Sequence, residues 1–173
     1  MRSSIIIKPI ILITILFSLG ALGMETKNTY DEREQTIIKF FNAVRADNLI
    51  VLDSFYDKNV KFIDPISKYN SLEEIKSYYA HMYKNVIDIR FDFHSFTRAQ
   101  DEYIGTWTMY LKSKKLENGK ELQTEGVSHF RFDPKTNKVI FHRDYFDMHE
   151  FIYRHIPMVG YITRKVNESL SNH

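Results

Sequence analysis

The sequence predicts a single α+β domain in which helices cover one face of a curved sheet. Three observations support this prediction: helical spacing early in the chain, strand alternation later, and a turn signal between two long strands. Helices followed by a run of antiparallel strands are typical of α+β folds. The 173 residues, 43% of them hydrophobic, suit one domain, because domains commonly contain about 100–200 residues.

Three helices are predicted in the first half of the chain. The first runs from Tyr30 to about Ala46, and a short second one lies between Leu49 and Phe55. Ser71 and Glu74 form a capping box, in which each side chain satisfies a free amide at a helix start. The helix that follows carries an apolar stripe at Leu72, Ile75, Tyr79 and Met82.

Strands are predicted by alternation of apolar and polar side chains. Residues 87–94 alternate strictly, as a half-buried strand does. The Asn118-Gly119 dipeptide accepts positive φ and therefore favours a tight hairpin between two long strands. The predicted strands lie at about 60–65, 87–94, 103–116, 121–132 and from 138 onward.

Residues 1–23 are predicted to be a leader that is not part of the domain. Arg2 and Lys8 precede the uncharged run of residues 9–24, which ends in small residues that suit signal-peptidase cleavage. This run spans about 24 Å as a helix, short of the ~30 Å hydrocarbon core of a membrane. We therefore expect an export signal and a periplasmic or secreted protein. The alternative is an uncleaved membrane anchor through residues 5–22.

Charge and cysteine content exclude several classes of function. Removal of the two basic residues of the leader leaves 22 basic residues, equal to the 22 acidic ones, and no basic block remains. Nucleic-acid binding is therefore not expected. The absence of cysteine excludes disulfides and thiolate metal sites. We expect no cofactor and no metal ion, although His142, Asp144 and His149 could form a metal site of unfamiliar spacing.

The tail resumes helical spacing at Ile152, Ile156, Val159 and Val166. Pro157 is expected to kink this helix or to split it in two. We expect the tail to pack across the open end of the fold. Alternatively, its basic residues could hold it on a membrane surface.

Strand alternation also predicts a pocket on the concave face of the sheet, because side chains of equal parity share a face. Its apolar lining is predicted to be Phe62, Trp107, Met109, Leu111 and Phe130. The few polar groups among them are predicted to be Ser128, His142, Asp144 and Asp64. A mostly apolar cavity with a few convergent polar groups is typical of a small-molecule site. Arg143 and Tyr145 have the opposite parity and are expected on the outer face.

Several short segments add a resemblance to a known family. They are "FIDP" at 62–65, "WTM" at 107–109, "EGVSHFRF" at 125–132 and "HRDYFD" at 142–147. With the order of elements, they resemble the SnoaL-like branch of the nuclear transport factor 2 superfamily, and in particular small bacterial SnoaL-like proteins. The resemblance covers residues 30–165 and leaves a tail at 166–173. It implies a conical sheet closed by a C-terminal helix, and a homodimer.

The ketosteroid isomerases of this superfamily supply one possible chemistry. The resemblance implies that Asp64 takes the place of their proton-shuttling aspartate. Their oxyanion hole, a tyrosine and a protonated carboxylic acid, would correspond to Phe40 and Ser128. Each oxyanion donor contributes ~3–4 kcal/mol, and Phe40 cannot donate a hydrogen bond. Isomerase chemistry of this type is therefore not expected.

The limonene epoxide hydrolases supply a second possible chemistry. Asp144 matches one of their aspartates, whereas Met109 and Leu111 replace their arginine and second aspartate. The residues that hold the attacking water would correspond to Phe62 and Asp64. Epoxide hydrolysis by that mechanism is therefore not expected either.

Asp144, Asp64 and His142 are the candidate catalytic residues, and each has a structural alternative. Asp64 could only form the turn before a proline. Asp144 could be the ion-pair partner of Arg98 or Arg154. His142 could be a buried, hydrogen-bonded histidine and not an acid–base partner of Asp144.

Three functions fit these observations. The first is a binding module for a small apolar molecule, and the second is an acid–base enzyme that uses Asp64 and Asp144. The third is a dimerisation scaffold with a vestigial pocket. A cavity below ~300 Å³ would favour the scaffold, because drug-sized ligands need at least that volume.

Overall fold

The computed structural model of the protein describes residues 30–171, so the predicted leader or anchor lies outside the described residues. The helices are α1 (Glu32–Ala43), α2 (Val51–Phe55), α3 (Leu72–Tyr83), α4 (Met148–Phe151) and α5 (Pro157–Ser171). The strands are β1 (Tyr56–Ile63), β2 (Lys68–Tyr69), β3 (Val86–Ala99), β4 (Glu102–Ser113), β5 (Glu121–Phe132) and β6 (Val139–Phe146). Between residues 30 and 171, no helix is long and apolar enough to cross a membrane.

Six strands form one curved, open sheet in the order β2-β1-β6-β5-β4-β3. The predicted α+β class is therefore confirmed. Neighbouring strands pair antiparallel, except that β1 runs parallel to β6. The strands β1 and β6 lie far apart in the sequence. Their pairing therefore joins the first and last strands of the sheet along the chain.

Helix α1 is fixed to the sheet through its N-cap residue, Asp31. Asp31 and Glu34 form a reciprocal capping box, in which each carboxylate accepts a hydrogen bond from the other residue's backbone N–H. The second oxygen of Asp31 accepts hydrogen bonds from Arg98 at 2.6 Å and from the Tyr103 hydroxyl at 3.1 Å. Burial acts to raise the pKa of Asp31, but these hydrogen bonds together hold it below its ordinary value.

Helix α3 begins where the sequence predicts, but its capping box closes differently. Ser71 accepts a hydrogen bond from Glu74 N at 3.3 Å, as predicted. The Glu74 carboxylate accepts from Asn70 N at 2.8 Å and not from Ser71 N. The prediction was therefore correct for the helix start and wrong for the second half of the box.

The connection between β4 and β5 is longer than the predicted tight hairpin. Asn118 and Gly119 do adopt positive φ, at 55° and 80°. However, β4 ends at Ser113, and the chain then makes a short 3-10 turn at Glu117–Gly119. Lys114 N donates to Asn85 O at 2.9 Å and so extends the contact of this segment with the start of β3, next to the pair of Val86 and Ser113.

An aromatic core fills the space between the helices and the concave face of the sheet. The Phe40 and Phe55 rings stack with their centroids 3.7 Å apart. Phe41 packs edge-on against three rings of the sheet, those of Phe91, Phe93 and Phe130. Offset and edge-on aromatic pairs add about 0.5–1.5 kcal/mol each beyond the area they bury.

The tail is split in two before Pro157, which is one of the two outcomes that the sequence predicts. Helix α4 is followed by a 3-10 turn at Tyr153–His155, and α5 then begins at Pro157, since proline fits the first turn of a helix. Phe151 of α4 is buried in the domain, so this short helix closes the concave face. The sequence predicts that the tail packs across the open end of the fold. This is wrong for Ile156, just before α5, and for Val166 in α5, because both side chains are exposed.

Gly126 of β5 makes room for the Trp107 side chain on the neighbouring strand. The two residues are paired across β4 and β5, and a Cβ atom at position 126 would overlap the indole ring. We predict that Gly126→Ala lowers the free energy of unfolding by about 1–3 kcal/mol, the usual cost of overpacking. Urea unfolding measures this difference. Glu125→Ala, at an adjacent exposed position, is the control, and equal losses in both variants would contradict the prediction.

Candidate functional site

A cavity of about 180 Å³ lies between α1, α3 and the concave face of the sheet. Its wall is mostly apolar. The aromatic residues of the wall include Phe40, Phe41, Phe62, Trp107, Phe146 and Phe151. Ile66, at the edge of the wall, is 41% exposed, so this side of the cavity faces solvent.

Six of the nine predicted site residues line this cavity. They are Phe62, Asp64, Trp107, Met109, Leu111 and Asp144. The other three, Ser128, Phe130 and His142, have no exposed surface and lie behind the wall. Parity placed these three on the correct face of the sheet, but other side chains cover them.

Asp144 is held from behind by a buried hydrogen-bond network. Its Oδ1 atom accepts from Ser128 Oγ at 2.5 Å and lies 2.8 Å from His142 Nε2. Ser128 Oγ in turn accepts from Trp107 Nε1 at 2.8 Å. The Oδ2 atom of Asp144 accepts no hydrogen bond from residues 30–171, and the side chain is 12% exposed. One oxygen is therefore fixed, and the other is free to meet a ligand.

His142 supports Asp144 from a completely buried position. Its ring stacks on Phe130 at 4.4 Å and meets Phe62 edge-on at 5.0 Å. Its Nδ1 atom lies 2.6 Å from the Tyr56 hydroxyl. Burial raises the pKa of Tyr56 far above its ordinary value, so this hydroxyl keeps its proton and can donate it to Nδ1. With a proton on Nε2, His142 donates to Asp144, and both ring contacts are satisfied.

Asp64 combines the two roles that the sequence left open. Its Oδ1 atom accepts hydrogen bonds from Ile66 N at 2.8 Å and from Ser67 N at 2.6 Å, which is the geometry of a turn former. Its Oδ2 atom accepts a hydrogen bond from the Tyr78 hydroxyl. Burial, and then this hydrogen bond, raises the pKa of Tyr78 well above its ordinary value, so Tyr78 remains a donor.

Three tyrosines of α3 line the cavity, and the sequence analysis assigned none of them to the site. They are Tyr78, Tyr79 and Tyr83. The predicted stripe of this helix included Tyr79 only as a core residue, and the other two lie beside that stripe. Tyrosines spaced four residues apart, as at 79 and 83, were the available signal, because such residues share a helix face.

The two arginines that could have paired with Asp144 pair with other carboxylates. Arg98 pairs with Asp31 at 2.6 Å, and Arg154 lies 4.0 Å from Glu150. Phe40, in the place of the isomerase tyrosine, lines the cavity and stacks on Phe55. Among the described residues, no group of three or more His, Asp or Glu side chains could hold a metal ion.

Comparison with known families gives one match. The model of the SnoaL-like domain family matches residues 37–142, which is more than half of the chain. This range begins within α1, contains α2 to β5 and the first part of β6, and ends at His142. A search of curated protein sequences finds no match.

Solved structures resemble the protein in fold. A proposed SnoaL-like polyketide cyclase from Shewanella denitrificans is 17% identical, with a TM-score of 0.61 over 69% of this chain and 93% of that one. A nuclear transport factor 2-like protein of unknown function from Burkholderia pseudomallei is 17% identical, with a TM-score of 0.62 over 74% and 99%. AclR, a proposed hydroxylase from Streptomyces galilaeus, is 16% identical, with a TM-score of 0.59 over 82% and 96%. At these identities the likeness shows the fold alone.

The buried hydroxyl of Ser128 should be important for stability. We predict that Ser128→Ala lowers the free energy of unfolding by about 1–3 kcal/mol, because it leaves the buried Trp107 N–H without an acceptor. Urea unfolding, followed by the emission of the chain's single tryptophan, measures the loss. Ser95→Ala removes an exposed hydroxyl pair with Thr106 and is the matched control, with an expected loss within about 0.5 kcal/mol. A Ser128→Ala variant as stable as this control would refute the prediction.

Proposed function

We propose that this chain, which belongs to the SnoaL-like domain family, binds a compact, largely hydrophobic molecule in the cavity between α1, α3 and the sheet. The observation that carries this proposal is the composition of the cavity wall. Apolar and aromatic side chains form most of it, and the carboxyl groups of Asp64 and Asp144 are also part of it. Such a combination is the usual form of a small-molecule site.

The carboxyl groups favour a binding site over a vestigial pocket. Removing a carboxylate from water costs free energy unless it is hydrogen-bonded or paired. Asp144 lies largely buried and has one oxygen without a donor from the described part of the chain. A scaffold would gain nothing from this arrangement, whereas a ligand that contacts Oδ2 would be oriented by it.

The volume of the cavity limits the size of the ligand. At about 180 Å³ it is below the ~300 Å³ of drug-sized sites, which by itself is the result expected for a scaffold. An engineered apolar cavity of about 150 Å³ nevertheless binds benzene. The volume therefore supports a compact ligand, such as a single ring with a short branched substituent.

We predict that the protein binds at least one of two probes of this size, tert-butylbenzene and phenyltrimethylammonium, which have the same shape. Trp107 lies in the wall and is the only tryptophan of the chain, so its fluorescence reports occupancy. Val86→Phe, which places a ring in the cavity, should weaken binding at least about tenfold, since it removes the space for the probe.

Ile87→Phe is the matched control for this experiment. Ile87 is the next residue on the same strand, but its side chain is 55% exposed and does not line the cavity. Binding in this variant should equal that of the unaltered protein. Failure of both probes to bind, or equal binding by both variants, would disprove the proposed site.

A second candidate function is acid–base catalysis, and the observation that favours it is the fixed orientation of Asp144. In this hypothesis Oδ2 takes a proton from a carbon next to a carbonyl group, and the C–H electron pair forms an enolate. The carboxylic acid then returns the proton to carbon. His142 acts as a positioning residue, because it holds Oδ1 from behind the wall.

Proton exchange with solvent tests the second candidate directly. Mass spectrometry measures deuterium uptake from D₂O at the carbon next to the carbonyl of cyclohexanone. We predict that Asp144→Asn lowers the rate about 10²-fold or more, since an amide cannot accept the proton. Glu125→Gln, at an exposed position of β5, is the control. Exchange that survives in both Asp144→Asn and Asp64→Asn would exclude this mechanism.

A further inference from the structure

The wall of the cavity carries negative charge without a matching positive one. Asp64 and Asp144 contribute carboxylates, whereas no lysine or arginine is among the lining residues of the described chain. In an environment of low dielectric constant, charges attract or repel more strongly than in water. A ligand inside this cavity therefore meets two negative groups.

The remaining ionisable groups of the wall are neutral phenols. Burial raises the pKa of Tyr79 far above its ordinary value. Burial likewise raises the pKa of Tyr83 and of Tyr78. These hydroxyls keep their protons at neutral pH, so the carboxylates alone determine the charge of the wall.

The described groups behind the wall place no lysine or arginine next to Asp144. His142 uses its two ring nitrogens for contacts with Tyr56 and with Asp144 Oδ1. Arg45 is the cation whose field reaches Tyr83, but it lies outside the wall, and its guanidinium donates to Val44 O at 2.7 Å. Among residues 30–171, Asp144 therefore pairs with no lysine or arginine, and its Oδ2 atom has no hydrogen-bond partner.

The aromatic rings of the wall are the second feature that suits a cation. A cation is attracted to the face of an aromatic ring, most strongly to that of tryptophan. Trp107, Phe91 and Phe41 are part of the same wall as the two carboxylates. Rings exclude water from a bound ammonium group, and the carboxylates balance its charge.

We propose that the ligand is a compact organic cation, an ammonium group with apolar substituents, whose charge is balanced by Asp144 and Asp64. This inference rests on the proposed function and names the chemical class of its ligand. The Oδ2 atom of Asp144 is the carboxylate oxygen of the wall that has no donor within residues 30–171, because both oxygens of Asp64 already accept hydrogen bonds. A neutral hydrocarbon of the same shape fills the space but leaves the charge of Asp144 unpaired.

The two probes of equal shape separate charge from size. We expect phenyltrimethylammonium to bind at least about tenfold more tightly than tert-butylbenzene, measured by titration of Trp107 fluorescence. Asp144→Asn should reduce this ratio to about one or below, and Asp64→Asn should reduce it partly. The ratio is measured within one variant, so any general damage to the cavity affects both probes alike.

Glu125→Gln is the matched control, because it removes one negative charge from an exposed position of β5 and should leave the ratio unchanged. Equal binding of the two probes by the unaltered protein would overturn the cation inference and leave the proposed function intact. Failure of both probes would overturn the proposed function and this inference with it. A preference for the cation that persists in both asparagine variants would overturn the assignment to these carboxylates.

Discussion

A buried chain of hydrogen bonds fixes the wall of the cavity and joins four strands side by side. It leads from Tyr56 on β1 through His142 and Asp144 on β6 to Ser128 on β5, and it ends at Trp107 on β4. Each polar side-chain atom of these residues except Asp144 Oδ2 has a partner in the described part of the chain, so most of the network can lie in an apolar core at little cost. These hydrogen bonds hold Trp107 and Asp144 in their orientations. Trp107 carries the only indole of the wall, and Asp144 carries one of its two carboxylates.

The network also explains why Asp144 differs from an ordinary surface carboxylate. Two donors hold its Oδ1 atom, and the Oδ2 atom is left to face the cavity. Asp64 has the opposite arrangement, since the turn amides and Tyr78 use both of its oxygens. The two carboxylates therefore share the charge of the wall, while only Asp144 offers an oxygen for direct contact or proton transfer.

Binding and catalysis both depend on this one geometry, and they place different demands on it. A binding module needs only a cavity of suitable volume with an oriented counter-charge. An acid–base enzyme also needs a place for charge that develops on the substrate. The resemblance to isomerases puts Phe40 at the position of their donor, and Phe40 has no hydrogen-bonding side-chain group. The hydroxyl groups that line the wall belong to tyrosines of α3 and to Ser113. Membership of the SnoaL-like family determines the fold, and the individual side chains decide the chemistry.

The sequence by itself determined the α+β class, the family and the shared face of the predicted site residues on β4, β5 and β6. Period-two alternation was sufficient to place Trp107, Met109, Leu111 and Asp144 together, because parity is a local property of a strand. Only the tertiary structure decided which of these side chains reach the cavity and which are buried behind its wall. Ser128, Phe130 and His142 have the same parity but lie behind the wall, since what covers a side chain depends on distant residues. The parallel pairing of β1 with β6 brings Tyr56 to His142, and Tyr78 reaches Asp64 from α3. These contacts join residues far apart in sequence or on different elements, so no local pattern encodes them.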